Sequence, residues 1–255
     1  MTFAVAADDY DRFMGRYSTR LAPVFADFAV VESDARVLDV GCGPGALTTE
    51  LVRRVGAEKV TAVDPSESFV LAARERHPGV TVAEATAEKL PFPDASFDQA
   101  LAQLVVQFMA DPVGGLREMA RVLHPGGRVA ACVWDHAGDG GPLSPFWSVA
   151  RGVDPTVVDE SRLAGVRAGH LTELFAAAGL RGLHEQAIEV ELEHATFEQW
   201  WEPYTLGVGP AGSFVAQLTP DQRREVELGC RALYPTEPFT VNARAWACSG
   251  RAGAA

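Results

Sequence analysis

Gly41, Gly43 and Gly45 alternate with Cys42 and Pro44 directly after the apolar run Val37-Leu38-Asp39-Val40. Glycine tolerates positive φ and lets another molecule come close to the main chain. A helix reading follows at once, Ala46 to Val55 with Gly56 past its end. A strand, a bare turn and a helix N-terminus together make a cradle for a nucleotide cofactor. Asp64 closes the next apolar run, about 20 residues downstream, where an acid can accept hydrogen bonds from ribose hydroxyls. The pattern Gly41-x-Gly43-x-x-Ala46 also satisfies the looser dinucleotide fingerprint, so at this point a nicotinamide enzyme remains open.

The elements that must position these groups alternate. Val37–Val40, Lys59–Val63, Val80–Ala83, Phe97–Gln103 and Arg128–Trp134 read as buried strands. Between them lie helices over Ala46–Val55, from Ser66 to His77-Pro78, and from Asp111-Pro112 through Leu123, with Asp111 as cap and Pro112 at the first helical position. That rhythm implies a doubly wound, mostly parallel α/β sheet. Ahead of it, Ser18 is expected to cap a helix with apolar face Leu21, Val24, Phe25 and Phe28. The aromatic and charged stretch 8–17 precedes that helix. It either carries Tyr10 and Arg16 over the glycine turn or supplies a packed tyrosine and a solvated arginine.

From Asp135 the alternation breaks. Residues 135–168 are rich in glycine and proline, and 195–236 hold Trp200, Trp201, Tyr204 and a helix signalled by Thr219, Pro220 and Gln222. Helix Leu171–Ala178, strand Ala187–Leu192 and strand Phe239–Cys248 complete the pattern, with a frayed tail expected after Ser249.

The bulk properties bound the function. A chain of 255 residues, 47% hydrophobic, suits one large α/β domain. A formal charge of −12 disfavours nucleic acid and anionic membrane as partners. No apolar run approaches a membrane span. The start, Met1-Thr2-Phe3-Ala4, shows neither a basic segment nor an apolar leader, and the four cysteines are scattered. A cytoplasmic protein with reduced thiols is the expectation. No His/Cys/Asp cluster has metal-ligand spacing and no serine sits in a nucleophile elbow, so no metal is expected.

Four segments in order now carry a resemblance. They are Leu38-Asp39-Val40-Gly41-Cys42-Gly43-Pro44-Gly45; Asp64-Pro65-Ser66 with Phe69; Ala87-Glu88-Lys89-Leu90-Pro91-Phe92-Pro93-Asp94-x-Ser96-Phe97-Asp98; and Arg117-Glu118-x-x-Arg121-Val122-Leu123-His124-Pro125-Gly126-Gly127. Through them the chain resembles the class I S-adenosylmethionine-dependent methyltransferases, most closely the small-molecule branch with the ubiquinone/menaquinone-type enzymes. The likeness spans about residues 36–134, which it implies is the cofactor-binding core of one domain over 1–255. It implies a Rossmann-like, doubly wound, seven-stranded mixed sheet with an antiparallel last strand and helices on both faces. Residues 135–168 and 195–236 become insertions forming a lid over the acceptor.

The resemblance also implies roles. Gly41, Cys42, Gly43 and Gly45 lie against the methionine part of S-adenosyl-L-methionine, Asp39 organises that turn and reaches the cofactor ammonium through water, and Asp64, with Pro65 and Ser66, holds the ribose. Phe69 packs on adenine, Ala87 offers it a backbone N–H, and Thr86 stands where the family usually has an aspartate. Glu88 is either a polar neighbour of adenine or a surface charge. Gln103 and Leu104 flank the methionine portion, Tyr10 covers the cofactor, and Arg16 is placed to hold its carboxylate.

The expected reaction is methyl transfer to a small-molecule acceptor by in-line displacement, with S-adenosyl-L-homocysteine as product. Tyr10, Asp135 and His136 are the candidate bases, although His136 reads more readily as a solvated loop residue. Where amino-group methylases carry an Asn/Asp-Pro-Pro-aromatic quartet, this chain has Gln103-Leu104-Val105-Val106. An oxygen or carbon nucleophile is therefore favoured. Trp134, Phe146, Trp147, Trp200, Trp201 and Tyr204 are the expected acceptor wall, or else the core of the lid. The alternatives are a cofactor-binding regulator or partner subunit without catalysis, and remotely an NAD-dependent oxidoreductase. A monomer or a homodimer is equally compatible.

Overall fold

The computed structural model describes residues 7–253. The opening Met1-Thr2-Phe3-Ala4 lies outside the described residues. The chain runs through α1 (Ala7–Tyr10), α2 (Arg16–Phe28), β1 (Val37–Val40), α3 (Ala46–Val55), β2 (Val60–Asp64), α4 (Glu67–Arg76), β3 (Thr81–Glu84), β4 (Phe97–Gln103), α5 (Pro112–Arg121) and β5 (Leu123–Trp134). It continues through α6 (Ser144–Val153), α7 (His170–Ala177), β6 (Arg181–His194), α8 (Phe197–Trp201), α9 (Gly209–Gln217), α10 (Pro220–Leu233) and β7 (Phe239–Arg251).

The strands form one sheet in the order β3-β2-β1-β4-β5-β7-β6. The first five pair in parallel, and β7 runs antiparallel to both β5 and β6. This is the Rossmann-like seven-stranded mixed sheet expected from the sequence. All four residues of β1 are buried, which is why a central parallel strand reads as an unbroken apolar run. The strand order reverses between β1 and β4, and the crevice beyond their C-terminal ends is where open α/β sheets bind ligands.

Several boundaries differ from the sequence reading. Ser18 does not cap a helix: α1, a π-helical turn Asp11–Gly15 and α2 follow one another directly, and Ser18 Oγ donates to the Met14 carbonyl at 3.1 Å. Phe13 and Tyr17 are buried ahead of the expected start, so core packing holds that stretch helical. Strand β5 begins at Leu123 and absorbs the turn at His124–Gly127 through a register shift against β4. Strand β6 is longer than Ala187–Leu192 because it pairs with β7 along nearly its whole length. The expected frayed tail is also corrected: Arg251 pairs with Arg128, and the Ala252 N–H donates to the Gly127 carbonyl at 2.9 Å.

The capping box on α10 is present as read. Thr219 accepts from the Gln222 N–H and Gln222 Oε1 accepts from the Thr219 N–H at 3.0 Å. Thr219→Ala should therefore lower stability by about 0.5–2 kcal/mol in denaturant titration. An unchanged midpoint would show that packing of Val226 and Cys230 alone holds this helix.

Candidate active site

A cavity of about 680 Å³ opens at the C-terminal ends of β1, β2, β4 and β5. That size falls within the roughly 300–1,000 Å³ typical of small-molecule sites. One side is built by Gly41, Gly43, Asp64, Pro65, Ser66, Phe69, Gln103 and Leu104, with Tyr10 arching over from α1. The Tyr10 and Phe69 rings meet at 5.4 Å between centroids.

The loop is held by its own backbone. The Gly41 and Cys42 N–H groups both donate to the Val63 carbonyl, at 2.8 and 2.9 Å. The buried Asp64 carboxylate accepts the Gly43 N–H on one oxygen at 2.9 Å and the Ser66 N–H on the other at 2.8 Å. Each oxygen keeps a lone pair for a further donor. Burial pushes the Asp64 carboxyl up while these two N–H groups pull it down. Gly41 has φ +71°, and a Cβ there would lie 2.5 Å from a Val105 methyl, so the position admits only glycine. Across the crevice Leu104 also has positive φ, 63°, an uncommon state for a branched side chain and one that concentrates at functional sites. Its N–H donates to the Cys132 carbonyl at 2.8 Å.

Beneath the loop, a smaller recess is lined by Tyr10, Ser18, Asp39, Gly41, Cys42 and Gln103, among others. Asp39 Oδ2 accepts the Thr48 hydroxyl at 2.6 Å, and Gln103 Nε2 donates to the Ser18 carbonyl at 3.1 Å. Asp39 Oδ1 and Gln103 Oε1 are buried and have no hydrogen-bond partner among the described residues. Two unpartnered polar atoms at one recess create a demand for a polar ligand group, since an unmet buried polar atom costs about 1–3 kcal/mol. Burial, with a smaller contribution from nearby Asp64, pushes the Asp39 carboxyl up to about 7 against the Thr48 hydrogen bond.

The structure separates the remaining site candidates. Gly45 lies outside the cavity lining: a Cβ there would meet the His77 ring at 2.7 Å. Arg16 is a correction. Its guanidinium donates to the carbonyls of Phe13, Gln199 and Trp200 and lies 3.4 Å from His194 Nδ1, so it fastens α2 to α8 instead of reaching the cavity. Thr86, Ala87 and Glu88 do not line the cavity either. Thr86 is exposed, Ala87 packs under α5, and Glu88 Oε1 accepts the Ala110 N–H at 2.8 Å.

Of the aromatic set, only Trp134 faces the cavity. Phe146, Trp147, Trp200, Trp201 and Tyr204 pack together as buried core, with Phe146 and Tyr204 stacked at 4.6 Å and Trp200 against Tyr204 at 4.9 Å. Large rings bury the most area by packing on one another. The wall they support is Phe13, Met14, Leu143, Val208 and Pro210. Asp135 is bound by Arg244 at 2.7 Å and by the Gly138 N–H at 3.0 Å, which ties β5 to β7 and leaves it off the cavity. His136, by contrast, is 7% exposed and lines the chamber, not a solvated loop. Gln107, Phe108 and Glu160 also line it and escaped the sequence reading. Positive φ at Leu104 and burial of an acid in a glycine-rich insertion leave no periodic signal.

Residues 38–131 match the family model described as a methyltransferase domain. The chain is 41% identical over 115 residues to 2-methyl-6-phytyl-1,4-hydroquinone methyltransferase 2, chloroplastic, of rice, covering 44% of this chain and 31% of that one. It is 36% identical over 126 residues to malonyl-[acyl-carrier protein] O-methyltransferase of Erwinia pyrifoliae, covering 45% and 47%. The matched region thus spans less than half the length of these curated relatives. The crystal structure of YcgJ protein from Bacillus subtilis superposes with a TM-score of 0.57 at 21% identity, covering 94% of this chain and 100% of that one, which supports the fold. Residues 38–131 thus match a methyltransferase-domain model, and the resemblance read from the four segments is borne out there. Among the described residues no helix is long and apolar enough to cross a membrane.

Two outcomes follow from this geometry. Asp39 keeps its proton in the folded, ligand-free protein up to about pH 7, whereas an exposed aspartate loses it near 3.8. The wild type's stability relative to Asp39→Asn should thus be greatest at low pH, fall as pH rises through about 7, and then level. A difference independent of pH in thermal unfolding would contradict the assignment. Arg16→Ala should lower the melting temperature and leave cofactor affinity within about twofold, because its donors serve backbone carbonyls; a large loss of affinity in calorimetry would reverse this reading.

Proposed function

We propose that this protein transfers a methyl group from S-adenosyl-L-methionine to a small-molecule acceptor at oxygen or carbon. The observation that carries the proposal is that the bare Gly41–Gly43 loop and Gln103 line both the main cavity, with Asp64, and the smaller recess that holds the orphaned Asp39 oxygen. These groups fit the cofactor's polar parts. Asp64 accepts from its ribose hydroxyls, Asp39 Oδ1 and Gln103 Oε1 accept from its ammonium, and Phe69 and Tyr10 offer ring faces to its base. When bound, the cofactor supplies a methyl group on a sulfonium whose departure needs no proton.

The protein's share is alignment and exclusion of water. The distal wall, drawn from β5 and the two insertions, holds the acceptor against the loop. His136 is the base on that wall: it takes the proton when the acceptor arrives as a hydroxyl. The relative named for a hydroquinone supports a small hydroxyl-bearing acceptor, and the Gln103-Leu104-Val105-Val106 segment supports oxygen or carbon over an amino nitrogen.

Calorimetry with S-adenosylmethionine and with NAD tests the cofactor directly. Binding of the first alone is expected, and binding of NAD alone would overturn the proposal. Asp64→Asn should weaken the cofactor by about 1–3 kcal/mol. His136→Gln should slow methylation of a hydroxyl acceptor by about 100-fold or more with cofactor affinity unchanged. Undiminished turnover would remove His136 from the chemistry.

A further inference from the structure

Glu160 begins a single 3-10 turn, Glu160–Arg162, inside the first insertion. It is 5% exposed and lines the distal half of the cavity. Its Oε2 accepts the Trp147 indole N–H at 2.8 Å. Among the described residues no other hydrogen bond or ion pair reaches this carboxylate. The neighbouring Arg151 is committed to Asp139 and Asp159.

The rest of the lining sharpens the point. Among the described residues it contains no lysine and no arginine; its carboxylates are Asp64, Glu67 and Glu160, and its one imidazole is His136. Beside Glu160 the wall is apolar: Phe13, Met14, Leu143, Val208 and Pro210. An acceptor carrying a carboxylate or phosphate would find no lysine or arginine in this lining and would face the Glu160 carboxylate across a low dielectric. A cationic acceptor would meet the sulfonium that the proposed cofactor brings. An uncharged hydroxyl can donate to the carboxylate oxygen that Trp147 leaves unused.

We propose that Glu160 is the specificity-determining residue of the acceptor site, accepting a hydrogen bond from an uncharged, largely apolar, hydroxyl-bearing acceptor and turning acids away. The proposal rests on the methyltransferase reading above.

Two probes with one ring system test it: 2-naphthol and 2-naphthoate, titrated by calorimetry at pH 7 into the protein saturated with S-adenosylhomocysteine. Naphthol should bind, with naphthoate at least 10-fold weaker. Glu160→Gln should close the naphthol–naphthoate gap to under threefold by improving naphthoate, with affinity for S-adenosylhomocysteine within twofold of the wild type. Naphthoate binding as tightly as naphthol, or no naphthol binding, would each overturn the proposal. So would a variant that loses both probes equally with a falling melting temperature, since Glu160 would then only support Trp147. Failure of S-adenosylhomocysteine to bind at the outset would instead overturn the cofactor reading.

Discussion

The Asp64 carboxylate joins the two loops on which the cavity is built. One oxygen receives the N–H of Gly43 from the loop after β1, and the other receives the N–H of Ser66 at the start of α4. Side-chain-free backbone has no packing of its own to hold it, so the turn depends on such anchors. Val63 supplies the second anchor by accepting both the Gly41 and Cys42 N–H groups. The price is burial of a charge, visible in the raised Asp64 carboxyl. The same acid that shapes the loop keeps lone pairs directed at the crevice, which couples loop geometry to ligand binding.

The aromatic cluster around Tyr204 is fastened by contacts separate from this loop. Arg16 gives its donors to the Phe13, Gln199 and Trp200 carbonyls, and the Tyr17 hydroxyl meets His194 Nε2 at 3.0 Å. Burial and the adjacent Arg16 charge hold the His194 imidazole down near 4, so it is neutral at physiological pH. Helix α2, the end of β6 and α8 thus share one polar joint beneath the aromatic cluster. That joint fixes the position of Phe13 and Met14 on the cavity wall.

What could be read from residues alone follows from how local each cause is. Val37–Val40, the glycine turn, and the Asp111-Pro112 start of α5 were legible because apolar runs, positive-φ requirements and caps act within a few residues. The fate of Arg16 was not, since its partners lie 183 and 184 positions away. Whether Phe146 and Tyr204 wall a pocket or pack as core stayed open, because composition does not distinguish rings that face a ligand from rings that face each other. Nothing in the glycine- and proline-rich stretch 135–168 singles out Glu160, and only the folded chain buries it.

The central claim is that the loop at residues 41–43 and Asp64 hold the adenosyl donor at the mouth of this cavity. The direct measurement is a crystal structure after soaking with S-adenosylhomocysteine. The account predicts ribose density against the Asp64 carboxylate and the amino group at Asp39 and Gln103. Density for the ligand anywhere else, with the loop left bare, would contradict it.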